Sequence, residues 1–123
     1  MEIERDEVNN RLSKVVCFGG TIYLSGIVAP RQYGSIEEQT EWELETIETL
    51  LLNHGSDKSH LLNVTVFMRN MDDFCVMNQV WEKWFEGIIP PARTCVGASL
   101  ASSHAMIEIN AIAAKNYEAE ANK

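Results

Sequence analysis

The residues best suited to chemistry in this chain are an arginine and a glutamate fifteen positions apart. Arg93 lies in Pro90-Pro91-Ala92-Arg93-Thr94-Cys95-Val96 and Glu108 in Met106-Ile107-Glu108-Ile109-Asn110-Ala111-Ile112. A guanidinium is a planar fork of donors that grips a carboxylate through paired, charge-assisted hydrogen bonds. A carboxyl group can carry a proton to or from a reacting atom. The two prolines lack N–H donors and fix φ, so no regular element runs through them and Arg93 opens a new one. Thr94, Cys95 and Val96 suit an extended strand. Alternation of Ile107 and Ile109 with Glu108 and Asn110 sets a carboxylate on a strand otherwise built for burial. This reading places both charges on adjacent inner strands, where desolvation is expensive and a function is needed to justify them.

On spacing alone, each of these residues also has a plainer reading. An arginine after a double proline is ordinarily a solvated strand-end residue, and Glu108 could pair with a lysine across a subunit boundary. Cys17, Cys75 and Cys95 are far apart, form no CxxC pair and have no histidine at zinc-ligand spacing, so they read as free thiols rather than metal ligands. No histidine near Cys95 in sequence would activate it as a nucleophile. His54, His60 and His104 sit near predicted turns and read as exposed loop residues.

The 123 residues are 46% hydrophobic with seven glycines and three prolines, which fits one domain over 1–123 with a real core. Eighteen acidic against ten basic residues give a net charge of −8, much of it contributed by Glu37, Glu38, Glu41, Glu43, Glu45 and Glu48. Such a surface repels polyanions and disfavours nucleic acid or an anionic membrane as partner. Met1 to Asn10 lacks the basic and apolar regions of a secretory signal, and no apolar run reaches membrane-span length, so a cytoplasmic protein is expected.

The elements that must position Arg93 and Glu108 follow from periodicity. Lys14 to Phe18 and Thr21 to Ser25 read as strands joined by a Gly19-Gly20 turn. Gly26 to Ser35 is a loop. Ile36, Thr40, Leu44, Ile47 and Leu51 mark an amphipathic helix with its glutamates facing solvent, capped near Asn53-His54-Gly55. Leu61 to Arg69 is apolar on both parities, the mark of a strand covered on both faces. Asp72 or Asp73 would cap a second helix carrying Phe74, Met77, Val80, Trp81, Trp84 and Phe85, an aromatic stripe that reads as core packing. The last two strands start at Arg93 and near His104, and the tail 117–123 is polar and expected to fray. The order is β-β-α-β-α-β-β, with an additional short strand possible at Glu2 to Arg5. Two helices cover one face of such a sheet, so the second face is expected to pack against other copies of the chain, with any site on it lying between subunits.

Leu24-Ser25-Gly26, Gln39-Thr40, Met77-Asn78 with Trp81 and Phe85, Pro91-Ala92-Arg93-Thr94-Cys95-Val96 and Ile107-Glu108-Ile109 together resemble the ordered signature of the reactive-intermediate deaminase family, Rid or YjgF-type. The similarity runs from about Arg11 to Ala114. It implies a chorismate-mutase-like α+β fold with two helices on one face of a mixed sheet, a homotrimer with sites at subunit interfaces, and hydrolysis of 2-aminoacrylate-type enamines or 2-imino acids to 2-keto acids and ammonia without a metal or organic cofactor. Carried over residue by residue, Arg93 would clamp the substrate carboxylate and Glu108 would handle the proton. Cys95, Ser25 and Asn78 would line the binding site, although Asn78 could instead bond a loop and Ser25 shape a turn. The chain departs from the pattern at Leu12, where many members have tyrosine, at Ile27, often glutamine, and at Asn110, often a second glutamate. A less polar entrance is expected from these changes. Two other functions remain open: a non-catalytic trimer that binds small 2-keto acids, and the ribonuclease or translation-inhibiting activity attributed to some relatives.

Overall fold

The computed structural model describes residues 1–118. Its element order is β1 (Glu4–Val8), β2 (Ser13–Phe18), β3 (Thr21–Leu24), α1 (Ile36–Leu52), β4 (Leu61–Met68), α2 (Phe74–Trp84), β5 (Ala92–Gly97) and β6 (Ile107–Ala114). The strands form one six-stranded sheet in the order β1-β2-β3-β6-β4-β5, with β4 and β5 parallel and every other neighbouring pair antiparallel. The expected α+β arrangement is present, the amino-terminal strand being β1. The expected start of the last strand near His104 moves to Ile107. Of the tail expected to fray, residues 119–123 lie outside the described ones, while the exposed Tyr117 rests its hydroxyl against Gly20.

Local chemistry accounts for the boundaries. Phe18 and Thr21 pair across Gly19-Gly20, and Gly19 has φ +61° at the first central position of the turn. Ser35 caps α1, accepting from the Glu38 N–H (3.1 Å) and donating its hydroxyl to Glu38 Oε1 (3.0 Å). At the other end Gly55 adopts φ +78° and the Ser56 N–H reaches back to the Leu51 carbonyl (2.8 Å), a left-handed closure. The start of α2 differs from expectation. Asn70 caps a 3₁₀ turn over Met71–Asp73 by accepting from the Asp72 N–H, and α2 continues from it, while Asp73 makes no side-chain cap bond.

Both helices lie on one face of the sheet. Val15, Cys17, Ile22, Leu24, Val64, Val66, Met68, Ile107 and Ile109 form a buried layer beneath Leu44, Ile47, Leu51, Met77 and Trp81. The expectation that β4 is covered on both faces does not hold within one chain. A register shift between Leu61 and Asn63 bulges the strand at Leu62, so Leu61 and Val64 both point inward despite their odd spacing, and Leu62 is left 50% exposed. The opposite face stays open. It carries the cross-strand neighbours Val16, Tyr23 and Ile112, then Phe67 beside Val96, with Tyr23 45% and Val96 38% exposed.

A second correction concerns α1. Expected among the solvent-facing glutamates, Glu43 is instead 0% exposed, on the same buried stripe as Gln39 and Thr40. Its Oε2 accepts from the Ala29 N–H (3.1 Å), while Oε1 has no partner among the described residues. Burial drives its pKa up to about 9 despite the opposing Ala29 bond, and the charge of Glu108 pushes the same way. Glu43 is therefore a neutral acid at neutral pH. Because the unfolded chain ionises this group near its ordinary 4.5, folding takes up a proton, and stability is lost progressively as pH climbs from 4.5 towards 9. Glu43→Gln keeps an acceptor for Ala29 and removes that proton linkage. We expect it to exceed wild type in stability by about 3 kcal/mol at pH 7, with the gap closing near pH 5. Denaturant melts at pH 5, 7 and 8.5 test this, and a gap that does not grow with pH would refute it.

Candidate functional site

Arg93 is the second residue of β5, which is an edge strand. Its partner in the parallel ladder is Val64, whose side chain faces the helices, so the guanidinium points to the helix side and meets α2. There it lies 4.9 Å from the centre of the Trp81 ring and 5.8 Å from that of Phe74, and one terminal nitrogen donates to Asn78 Oδ1 at 2.8 Å. Each aromatic contact stabilises the cation by about 1 kcal/mol. Phe74, Asn78 and Trp81 follow at i, i+4 and i+7, so one helix stripe supplies both the platform and the acceptor. No carboxylate among the described residues pairs with this half-buried cation, whose bonded terminal nitrogen also approaches Met77 Sδ at 4.0 Å. Beside it, α2 and the Pro90-Pro91 turn line a groove of about 430 Å³ that opens to solvent.

Cys95 shares the helix-side parity of Arg93, two residues further along β5, and is half-buried. Burial pushes its thiol pKa up and the Arg93 charge only partly offsets this, so the group is a poor nucleophile at neutral pH. Asn78, on α2, accepts from Arg93 and is not bonded to a loop among the described residues.

Glu108 stands elsewhere. In β6 it pairs with Phe67 of β4, on the open face, and β4 separates β6 from β5. The expectation of adjacent inner strands is thus corrected: Arg93 and Glu108 are two strands apart, on opposite faces, and β5 is an edge. Glu108 rests against Gly26, where a Cβ would collide with its carboxylate. Gly26 is held there because the next residue, Ile27, exchanges two backbone hydrogen bonds with Ile109 (2.8 and 3.1 Å). Ser25, half-buried, extends the β2–β3 ladder by donating its N–H to the Lys14 carbonyl (2.9 Å), on the open-face parity of Tyr23. One chain therefore carries two half-sites: Arg93, Asn78 and Cys95 on the helix side of the edge, and Glu108, Gly26 and Ser25 on the open face.

The departures at Ile27 and Asn110 acquire physical roles. Ile27 is 2% exposed, a core residue and not part of an entrance. Asn110 donates its amide to the Leu24 carbonyl (2.8 Å), stapling β3 to β6 as the strands diverge, which an ionised glutamate could not do. Leu12, 46% exposed, precedes β2 on the surface.

A supporting layer escaped the sequence reading. Gln39 donates to the carbonyls of Tyr33 (2.9 Å) and His104 (3.1 Å) and accepts from the Met106 N–H (2.8 Å). His104 bonds the Ala29 carbonyl through Nε2 (2.8 Å), and Ala29 is the residue that holds Glu43. Gln39 and Glu43, one turn apart, thus tie the segment leading from Gly26 to the one leading into Glu108. Arg69 adds a clasp on the carbonyls of Ala105 (2.7 Å) and Ser102 (2.8 Å). All three histidines, expected to be exposed, are half-buried and bonded, His54 to Asp6 and Leu50, His60 to Asp57. The usable signal was periodicity: position 43 falls on the apolar stripe of α1 whatever its charge.

The comparisons with known proteins agree with this architecture. A family model described as endoribonuclease L-PSP matches residues 3–115. A RutC family protein of Haemophilus ducreyi is 34% identical over 116 residues, covering 94% of this chain and 99% of that protein. The crystal structure of a YjgF family member from Neisseria meningitidis aligns with a TM-score of 0.87 at 37% identity, over 94% of this chain and 97% of its own. A Rid family protein from Yersinia pestis aligns with a TM-score of 0.80 at 31% identity, over 87% and 90% respectively. Matched nearly end to end in sequence and in fold, the chain belongs to the Rid family, also called YjgF, whose sequence model bears the endoribonuclease L-PSP description.

Proposed function

We propose that this protein is an imine and enamine deaminase that hydrolyses 2-imino acids, including those formed from 2-aminoacrylate-type enamines, to 2-keto acids and ammonia. The observation that carries this reading is Arg93: a half-buried guanidinium, held on Trp81 and Asn78, with no carboxylate partner among the described residues. It would bind the substrate carboxylate. Water then adds to the C=N carbon, its protons pass to the nitrogen, and the C–N bond breaks to leave C=O and NH₃. Glu108 would take the proton from water and return it to the departing nitrogen. The electrophilic imine and the positioning of water supply most of the acceleration, so neither a metal nor an organic cofactor is needed in this scheme.

The two half-sites must meet for this to work. In the proposed homotrimer the edge strand β5 of one copy would sit beside the open face of the next, bringing one copy's Arg93 to another's Glu108. The exposed Tyr23, Leu62 and Val96 support such packing, since apolar sheet surface gains from burial. A cytoplasmic location belongs to the same proposal. The family description also raises RNA cleavage, but a net charge of −8 opposes binding of a polyanion.

Generating 2-iminopropanoate or 2-iminobutanoate enzymatically and following its disappearance tests the reading. We expect Arg93→Ala to lower kcat/KM about 100-fold, the loss of a paired, charge-assisted contact. A wild type that binds 2-oxobutanoate but gives no acceleration would point instead to a keto-acid-binding trimer.

Complementation tests the shared site. When Arg93→Ala and Glu108→Gln chains are unfolded together in equal amounts and refolded, about a quarter of the sites should combine one intact residue from each parent and recover activity. Recovery no greater than the sum of the separate variants would refute the shared site.

Gly26→Ala would displace the Glu108 carboxylate, whose flexible end can swing away. Its activity should fall about tenfold or more while its melting temperature stays within roughly 4 °C of wild type. Full activity would show that the contact with Gly26 is not used.

A further inference from the structure

We infer that the carboxylate site at Arg93 is built for 2-imino and 2-keto acids with a bulky, apolar side chain. The inference rests on the reading of Arg93 as a carboxylate clamp and adds what the neighbouring wall selects. The groove beside the guanidinium, open to solvent on one side, measures about 430 Å³. Since a water takes about 30 Å³ of liquid volume, an acid with only a methyl side chain would leave most of this space to solvent. A volume in this range suits a considerably larger ligand.

The wall has a defined chemistry. Trp81, Phe85, Ile88, Pro90 and Pro91 line it, and the prolines contribute no N–H donor. Trp81 and Phe85 meet at a centroid distance of 4.7 Å with planes 44° apart, and both are buried, so this side is rigid. Ile88, in the wall, is fixed by its N–H bond to the Phe85 carbonyl (2.9 Å), after a turn in which Gly87 takes φ +79°. The polar side chains at the margin are Arg93, Asn78, already engaged with Arg93, and Glu82, which is exposed. A ligand whose carboxylate meets Arg93 can therefore lay an aromatic or branched side chain along the apolar wall. A second carboxylate on that side chain would meet Glu82 and be repelled. Trp81 serves both parts, supporting the guanidinium and continuing the wall, so head group and side chain are recognised from one rigid element.

Calorimetry with the stable keto acids tests the wall apart from catalysis. Phenylpyruvate should bind wild type at least tenfold more tightly than pyruvate, because even one methylene in an apolar pocket is worth about tenfold, and oxaloacetate should bind more weakly than phenylpyruvate. Arg93→Ala should lose phenylpyruvate binding. Ile88→Trp, at a half-buried position, should fill the cavity and weaken phenylpyruvate about tenfold, by a larger factor than pyruvate. Equal affinities for pyruvate and phenylpyruvate, or phenylpyruvate binding that survives Arg93→Ala, would overturn the inference, and the wild-type comparison decides it even where a variant does not fold. The deaminase reading fails separately. Tight, Arg93-dependent phenylpyruvate binding with no hydrolysis of the phenylalanine-derived imine leaves the ligand class standing and removes the reaction. Hydrolysis at equal kcat/KM for the alanine- and phenylalanine-derived imines does the reverse.

Discussion

The parallel pairing of β5 with β4 decides which face of the sheet each site residue occupies. Val64 lies opposite Arg93 and Val66 opposite Cys95, and because Val64 and Val66 belong to the core, Arg93 and Cys95 face the helices. A slip of one residue would turn Arg93 to the open face, on the side of Phe67 and Glu108, and take it from Trp81 and Asn78. Several features hold the register. The Pro90-Pro91 turn sets where the strand begins, Arg93 is anchored on two rings and an amide oxygen, and Gly97 packs against Met71. The site arginine is therefore part of what positions its own strand.

The second half-site depends on polar groups that the core carries at a cost. Gln39 satisfies two carbonyls and one amide, which offsets most of its desolvation. Glu43 makes a poorer exchange, one amide bond for a fully buried carboxyl that must stay protonated. What both provide is connection between segments that secondary structure leaves free. The chain from Gly26 to Tyr33 and the chain from His104 to Met106 are joined through Ala29, His104 and α1, and the two ends of that frame meet where Gly26 touches Glu108. A carboxylate expected to act on a ligand is thus held by backbone that is itself tied to a helix.

Much of this was legible in the sequence because it is local. The Gly19-Gly20 turn, the positive φ at Gly55 and the period of Leu44, Ile47 and Leu51 are properties of short windows, and the structure follows them. Charge misled at position 43: a glutamate invites a solvent-facing reading, although its spacing from Thr40 and Ile47 puts it on the buried stripe. Strand order was not legible at all. That β4 stands between β5 and β6 depends on long-range pairing, and the bulge at Leu62 made a one-sided strand look two-sided. Asn78 could be named as a binding residue, but its partner could not, since only the fold shows that it orients a guanidinium.

An arginine is required at this place for reasons beyond charge. A guanidinium is weakly hydrated and flat, so it can lie against Trp81 and Phe74 while its edge still donates, whereas a lysine ammonium would have to shed tightly held water for a single point contact. The aromatic platform also fixes the direction of the fork. With one terminal nitrogen engaged by Asn78 Oδ1 and, at 4.0 Å, by Met77 Sδ, the guanidinium borders the cavity beside α2, at the exposed edge of the sheet. Glu108 lies beyond the reach of that edge within one chain, two strands away on the other face. The proposed binding and proton-transfer roles accordingly rest on separate supports, the first on a helix stripe and the second on tied loops. In the proposed reaction a single chain would supply the first alone, and the second would come from a neighbour whose open face, apolar around a carboxylate, has its own reason to be covered.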